Sequence, residues 1–425
     1  MVSKEPMHHV IIGNGVAGVT AALKLRERDP NAEISIISGE SDYFFSRTAL
    51  MYAYMDRMDL PALEPYERKV YTRQNLRLIR DWVTDLDAKS QTLQLKAGST
   101  VKYDKLLLAT GSNANPVSWP GSGNVKDGFV NFVSLQDLQA CERLTPTTRH
   151  AVVVGGGLIG IELVECLRHH GVGVTFMVRE PWYWPVALDR QEATMIAEHI
   201  RAHGVDLRIE DEISTVAADS SGRVASATTQ SGEKIDCQML GIAAGVRPSV
   251  EWLRKVTTPP ELGRGIVANS SFATSLRNVY TAGDCAELHL GGEKPVIEQI
   301  WYSAKRQGEL AARAMVGDKV DYTPPLFFNS AKFFEIEFTT VGAVTNAPAD
   351  SHHLYHRLPG KHASVRIVSR EGAVIGFNML GSRWNHNVLE RWIHERRSVK
   401  HVAANLHLAQ FDVEFGRVDV SGVKA

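Results

Sequence analysis

Cysteine is scarce in this chain of 425 residues, and its placement excludes more than its number does. Cys141, Cys166, Cys237 and Cys285 are widely scattered, so no pair has the spacing of a metal site or of a disulfide framework. Long apolar runs are missing too, and no stretch is long enough to span a bilayer. The net charge is −1, with 22% charged and 44% hydrophobic residues. That balance removes any global pull toward nucleic acid or membrane and reads as a globular protein. The start, Met1 to His8, is short and polar, and the apolar run behind it is consumed by a strand and a glycine turn, so no signal peptide is expected. These absences together point to a reducing, cytoplasmic setting.

Glycine, by contrast, is concentrated at two places. Gly13-Asn14-Gly15-Val16-Ala17-Gly18 and Gly155-Gly156-Gly157-Leu158-Ile159-Gly160 each follow a hydrophobic, strand-like run. The first glycine of such a fingerprint permits a tight turn, the second lets backbone approach a pyrophosphate, and the third lets helix pack closely on strand. The helix N-terminus then faces the phosphates. Two such sites suggest two dinucleotides, for which a flavin and a nicotinamide are the natural pair. His9 to Ile12, the glycines, Thr20 to Leu25 and Glu33 to Ile37 read as strand, turn, helix and strand. Glu40 sits about where an acid grips ribose hydroxyls, although Ser38 holds the more usual strand-end position. The second unit runs Ala151 to Val154, the glycines, a helix from Ile161 to Leu167, and the strand Val174 to Val178.

The length suggests about three domains. The expected fold is α/β: two doubly wound Rossmann-like dinucleotide-binding domains and a smaller C-terminal α+β domain. The first domain takes residues 1–123 and 246–322, the second 124–245, and the third 323–425 with a terminal helix and tail. Ser112 to Gly123 reads as a linker, rich in Asn, Pro and Ser. Beyond Pro325 the texture becomes alternating strands, as in Lys332 to Phe338 and Ala363 to Val368, closed by a helix from about Asn385 to Arg397.

The order GxGxxG, Ala109-Thr110-Gly111, GGGxIGxE, Gly283-Asp284 and Trp301 to Gly308 resembles the two-dinucleotide-binding-domain flavoproteins of the pyridine nucleotide-disulfide oxidoreductase superfamily. Tyr43 to Leu50 is most similar to the ferredoxin, rubredoxin and nitrite reductase branch, although Thr48 replaces that motif's proline and its following lysine is absent. The resemblance implies that Arg47 holds the FAD pyrophosphate, Asp284 bonds the ribitol, Thr110 and Gly111 line the flavin, and Val83 meets the adenine through its backbone. It places Glu162 and Trp301 near the nicotinamide and the isoalloxazine ring, as the catalytic candidates. Gly13, Gly15, Ala17, Gly18 and Glu40 complete the FAD set with Gly283. Gly155, Gly157, Leu158, Ile159, Gly160 and Gly245 join the cofactor-binding residues.

Disulfide reductases of this superfamily need a redox cysteine pair after the first strand pair, and related oxidases use a single cysteine near the position of Arg47. Neither is present. The expected activity is therefore an FAD-dependent NAD(P)H oxidoreductase: hydride passes from nicotinamide to flavin where the binding domains meet, and electrons leave directly to an external acceptor. A ferredoxin- or rubredoxin-type protein leads, with a quinone or dioxygen behind it. The rivals are a redox-sensitive scaffold resembling apoptosis-inducing factor and a subunit of a larger electron-transfer complex; a homodimer stays open. Arg179, one residue past the usual ribose-binding position at Val178, is suited to a 2′-phosphate, while Glu180 can serve as a displaced acid. Trp182-Tyr183-Trp184 either shields the nicotinamide or packs between domains.

No metal is expected. His352, His353, His356 and His362 cluster, but the flanking alternation argues for a strand or hairpin rather than a helix and no carboxylate or cysteine sits at ligand spacing nearby, so they read as a surface loop. Cys285, beside Asp284, reads as a packing residue. In the terminal helix Trp384, Val388 and Trp392 share a side, and Arg391, Arg396, Arg397 and Lys400 make its end basic; these are either a closing element with a solvated face or a landing site for an acidic carrier.

Overall fold

Runs of Ile, Val and Leu around the first glycine turn form a five-stranded parallel sheet in the order Val279–Thr281, Lys105–Leu108, His8–Ile12, Glu33–Ile37, Leu76–Ile79. Both faces are covered, so these strands are continuously apolar rather than alternating. Ile11, Ile34, Ile36 and Leu107 pack on the helices Val16–Arg28 and Trp301–Met315. Val10, Ile12, Ile37, Leu106 and Leu108 face the other way, against Leu86, Leu93 and Leu95 of a small antiparallel sheet, Val83–Asp87, Thr92–Leu95 and Thr100–Lys102. The two helices touch closely because Gly308 has no side chain: a Cβ there would lie 2.2 Å from the Ala17 carbonyl oxygen.

This computed structural model describes residues 6–358, 362–411, 414 and 418–424. Residues 1–5 of the polar start and parts of the tail lie outside the described residues. The sheet just described belongs to one of two units, built from Met1–Pro116, Val133–Ala140 and Gly245–Pro324.

The other unit comprises Val117–Phe132, Cys141–Ala244 and Pro325–Ala425. Its parallel sheet has the order Asp206–Ile209, Gly173–Val178, His150–Val154, Met239–Ile242, Phe129–Val130. A second, antiparallel sheet follows, in the order Phe328–Phe333, Ile336–Gly342, Ala373–Leu380, Ala363–Arg370, His352–Leu358. Leu389 and Trp392 of the helix His386–His394 bury against Val365, Ile367, Phe377 and Met379 of that sheet. Its strand Ala363–Arg370 also places the buried Arg366 guanidinium on Glu192, at 2.8 Å, and on Asp189, at 3.1 Å.

Three local expectations are corrected. Lys332 to Phe338 is a hairpin rather than one strand: Phe333 pairs with Ile336, and Phe334 turns the chain at φ +52°. The linker is partly ordered, because Ser112–Ala114 pairs antiparallel with Val246–Pro248. The terminal helix ends at His394 and a second helix covers Val399–Asn405. Trp384 lies before the first of these, ahead of the cap residue Asn385, so it shares no helical face with Val388 and Trp392. Both tryptophans are buried in the core of the antiparallel sheet, which is the closing-element reading. Among the described residues no helix is long and apolar enough to cross a membrane.

Candidate functional site

In the first parallel sheet, strand order reverses between His8–Ile12 and Lys105–Leu108, and ligands of such sheets bind outside the carboxyl ends of the strands at that point. Gly13 makes the turn with φ +111°, and a Cβ there would sit 2.1 Å from the Ala109 carbonyl oxygen of the neighbouring strand's exit. Gly15 caps the helix Val16–Arg28 without a side-chain bond and faces open space, and the first turn holds no acid. The helix therefore presents free N–H groups and its positive end, which fits a pyrophosphate. Ala17 and Gly18 are buried in that turn.

Asn14, not foreseen as a site residue, sets the rim. Its amide donates to the Ser41 carbonyl at 2.8 Å and accepts from Ser38 Oγ at 2.9 Å. Beside it a cavity of about 100 Å³ is lined by Asn14, Ser38, Ser41, Tyr43 and Arg80. Glu40 and Arg47 meet each other: the guanidinium donates to both carboxylate oxygens at 2.9 and 2.7 Å, and to the Val133 carbonyl. Glu40 also accepts from the Leu135 N–H at 3.2 Å. Val83 opens the strand Val83–Asp87 opposite Leu95.

The remaining residues of this site come from sheet exits. Thr110 donates to the Ser249 carbonyl at 2.9 Å, and Gly111 follows at φ +67°. Burial pushes the Asp284 carboxyl up, against Ser112, whose hydroxyl donates to it at 3.1 Å, and against Arg47. Gly283 donates its N–H to Gln307 Oε1 at 2.8 Å; Gln307 in turn donates to Glu298, which also accepts from Ser303 and Tyr322. Gln307 lay within a motif quoted from the sequence, but Glu298 and Tyr322 carried no signal of this network. Trp301 begins the helix Trp301–Met315, and its buried indole N–H has no acceptor among the described residues. An orphaned donor of that kind suits a bound polar group.

In the other unit the same cradle recurs. Gly155 turns at φ +109° with its hypothetical Cβ 2.2 Å from the Ala243 carbonyl oxygen, and Gly160 would meet Gly155 at 2.0 Å. Gly157 faces open space as the uncapped start of the helix Leu158–His169, which opens with Leu158 and Ile159 and has no acid in its first turn. This end fits a second dinucleotide phosphate group. Past Val178, Arg179 is exposed and bonds Glu180 at 3.2 Å. Gly245 belongs to the first unit, where its carbonyl accepts from Asn115 N–H.

One turn into the helix, burial and then the charge of Glu165 push the Glu162 carboxyl up to about 8, against Lys332. Glu165 itself accepts from Lys332 Nζ at 2.5 Å. This shift favours the neutral, protonated carboxyl at neutral pH. Tyr183 is fully buried, its phenol pushed up by burial and by Glu162. Its ring meets Phe176 and Phe333, and Trp184 meets Phe333 and Phe338, so these two aromatics pack inside this unit. All four cysteines are buried and none is in a disulfide, and burial pushes the thiols of Cys166, Cys237 and Cys285 up. Cys285 contacts the Leu108 carbonyl at 3.4 Å, a packing position.

Comparison with known proteins shows the family. Residues 7–314 match the family described as pyridine nucleotide-disulphide oxidoreductase. The chain is 30% identical over 317 residues to the benzene 1,2-dioxygenase system ferredoxin–NAD(+) reductase subunit of Pseudomonas putida, covering 74% of this chain and 75% of that one. It is 26% identical over 405 residues to an NADH oxidase of Methanocaldococcus jannaschii, 88% of each chain. The solved structure of a ferredoxin reductase from Rhodopseudomonas palustris superimposes with TM-score 0.82 at 21% identity, over 98% of this chain and all of the other. The chain belongs to the pyridine nucleotide-disulphide oxidoreductase family, as an FAD-dependent NAD(P)H oxidoreductase.

Proposed function

We propose that the chain oxidises NAD(P)H and delivers the electrons, one at a time, to a ferredoxin- or rubredoxin-type protein: one NAD(P)H and two oxidised carriers give NAD(P)+, a proton and two reduced carriers. FAD, when bound, supplies the conversion between a two-electron hydride and single electrons. The observation that carries the reading is a pair of glycine cradles with open helix ends in a chain whose four thiols are buried, scattered and outside any disulfide. A thiolate relay needs an accessible, ionised sulfur, and none of Cys166, Cys237 and Cys285 offers one. The ferredoxin–NAD(+) reductase relative supports an iron-sulfur acceptor.

In this reading Gly13, Gly15, Ala17 and Gly18 with Arg47 hold the FAD pyrophosphate, Glu40 orients Arg47 and reaches for ribose, and Asp284 orders the ribitol. Val83, Thr110, Gly111 and Gly283 shape the same site. Gly155, Gly157, Leu158, Ile159, Gly160 and Arg179 receive the nicotinamide dinucleotide, and Gly245 is kept as a cofactor-binding residue of the first unit. Glu162 donates a hydrogen bond and Trp301 offers its unpaired N–H. The buried thiols suit a reducing, cytoplasmic compartment. The exposed cations Arg391, Arg396, Arg397 and Lys400 form the docking patch for an acidic carrier, although Glu371 and Glu395 neutralise part of it.

The test is anaerobic reduction by NADH and by NADPH, followed by mixing with ferredoxin, rubredoxin, a quinone or dioxygen. Rapid reoxidation by an iron-sulfur carrier is expected, slowed at low salt when Arg396 and Arg397 are reversed to glutamate. Faster reoxidation by dioxygen than by either carrier would turn the assignment to an oxidase, as the NADH oxidase relative suggests. Slow turnover with every acceptor would favour a redox-sensitive scaffold.

A further inference from the structure

His199 and His203 lie four residues apart at the end of the helix Arg190–Ala202, and the two-residue turn Phe334-Glu335 brings a carboxylate onto them. Glu335 Oε2 is 3.2 Å from His199 Nε2 and 3.0 Å from His203 Nε2, and one ligand atom from each residue falls within 4.8 Å of the other two. The His362 ring lies 4.9 Å from that of His199.

Two orienting contacts settle which atoms face inward. His203 Nδ1 is 2.9 Å from the His199 carbonyl; a carbonyl only accepts, so Nδ1 carries a proton there and Nε2 is the nitrogen left to face the carboxylate. That nitrogen lies 3.0 Å from Glu335 Oε2, a separation that either a proton or a metal ion between the two atoms satisfies. Phe334 stacks on the His203 ring at 4.1 Å and 19°. It does so from φ +52°, a strained conformation for a bulky residue.

We propose that His199, His203 and Glu335 bind a divalent transition-metal ion of the zinc class, with His362 or water completing the shell. Two imidazoles and a carboxylate are the donor set that zinc, cobalt and nickel accept. A tetrahedral ion with bonds of about 2.0–2.1 Å spaces its ligand atoms about 3.3 Å apart, close to the separations seen. Paired histidines at i, i+4 present both nitrogens on one helix face. The ion clasps the end of this helix to the first hairpin of the antiparallel sheet, both inside one unit. It shares no residue with either nucleotide cradle, so it is structural and independent of the proposed electron transfer.

The flavin-loaded protein, stripped with a chelator, is dialysed against zinc chloride and its metal content measured by mass spectrometry. The expected result is one zinc per chain, bound below about 100 µM and raising the melting temperature through linkage. His203→Gln and Glu335→Gln should each weaken binding by about tenfold or more, while the double variant His352→Asn, His353→Asn should bind as the parent does. Glu335 is exposed, so its variant tests the site even if His203→Gln fails to fold. No zinc bound by the parent at that concentration, or equal binding by Glu335→Gln, would overturn the proposal.

Discussion

Replacing Glu162 by glutamine tests the electrostatics of the second nucleotide helix directly. Its carboxyl is raised from an ordinary 4.5 to about 8, by burial and then by Glu165. Between those values the folded chain keeps a proton that the unfolded chain has released, so stability falls as pH rises; below the lower value both states are protonated and the effect vanishes. Each pH unit is worth at most about 1.4 kcal/mol for one proton, and a window of roughly 3.5 units gives an upper bound of about 5 kcal/mol. The side chain retains some solvent contact, and screening reduces the figure to about 2–3 kcal/mol. At an unfolding entropy of ~2 cal/mol/K per residue, that is about 2–3 °C for a chain of this length. Glutamine cannot ionise, so the melting temperature of the variant relative to the parent should climb by this amount between pH 5 and pH 8.5, read by circular dichroism on flavin-loaded protein. A difference that stays constant over that range would show that Glu162 does not titrate there and would remove the basis for treating it as a proton-bearing donor.

Arg47→Ala and Asp284→Ala should each weaken FAD retention by roughly 10- to 100-fold, the scale of a charge-assisted bond of about 1.5–3 kcal/mol; full flavin content after dialysis in both variants would refute the placement of that site. Arg179→Ala should lower the ratio of NADPH to NADH specificity about tenfold, and an unchanged ratio in steady-state kinetics would dismiss Arg179 as a phosphate ligand. Arg366→Met strands the fully buried Glu192, which should cost about 3–5 kcal/mol of stability; a denaturation midpoint equal to the parent's would mean that Glu192 finds another partner or takes up a proton without penalty.

What was legible in the sequence was local. Glycines at fixed spacing after an apolar run state a turn, a close approach and an open helix end within a few residues, and both cradles formed where that spacing lay. The apolar runs of the parallel strands were equally plain, because burial on both faces removes any polar alternation. The misreadings arose where a partner distant in sequence decides the outcome. Lys332 to Phe338 has the composition of one strand, yet the pairing of Phe333 with Ile336 forces a turn through Phe334, a residue that no turn propensity favours. The same turn delivers Glu335 to two histidines more than a hundred residues earlier, so a search for metal ligands by sequence spacing had nothing to find. Glu162 makes the same point: its place on the helix was readable from the motif, but the upward shift of its carboxyl was not. That depends on Glu165, one turn along the helix, and on Lys332, which arrives from a strand of the antiparallel sheet. Backbone geometry around a ligand can be written into a short motif, whereas the charge state of the side chains that face it is set by the whole fold.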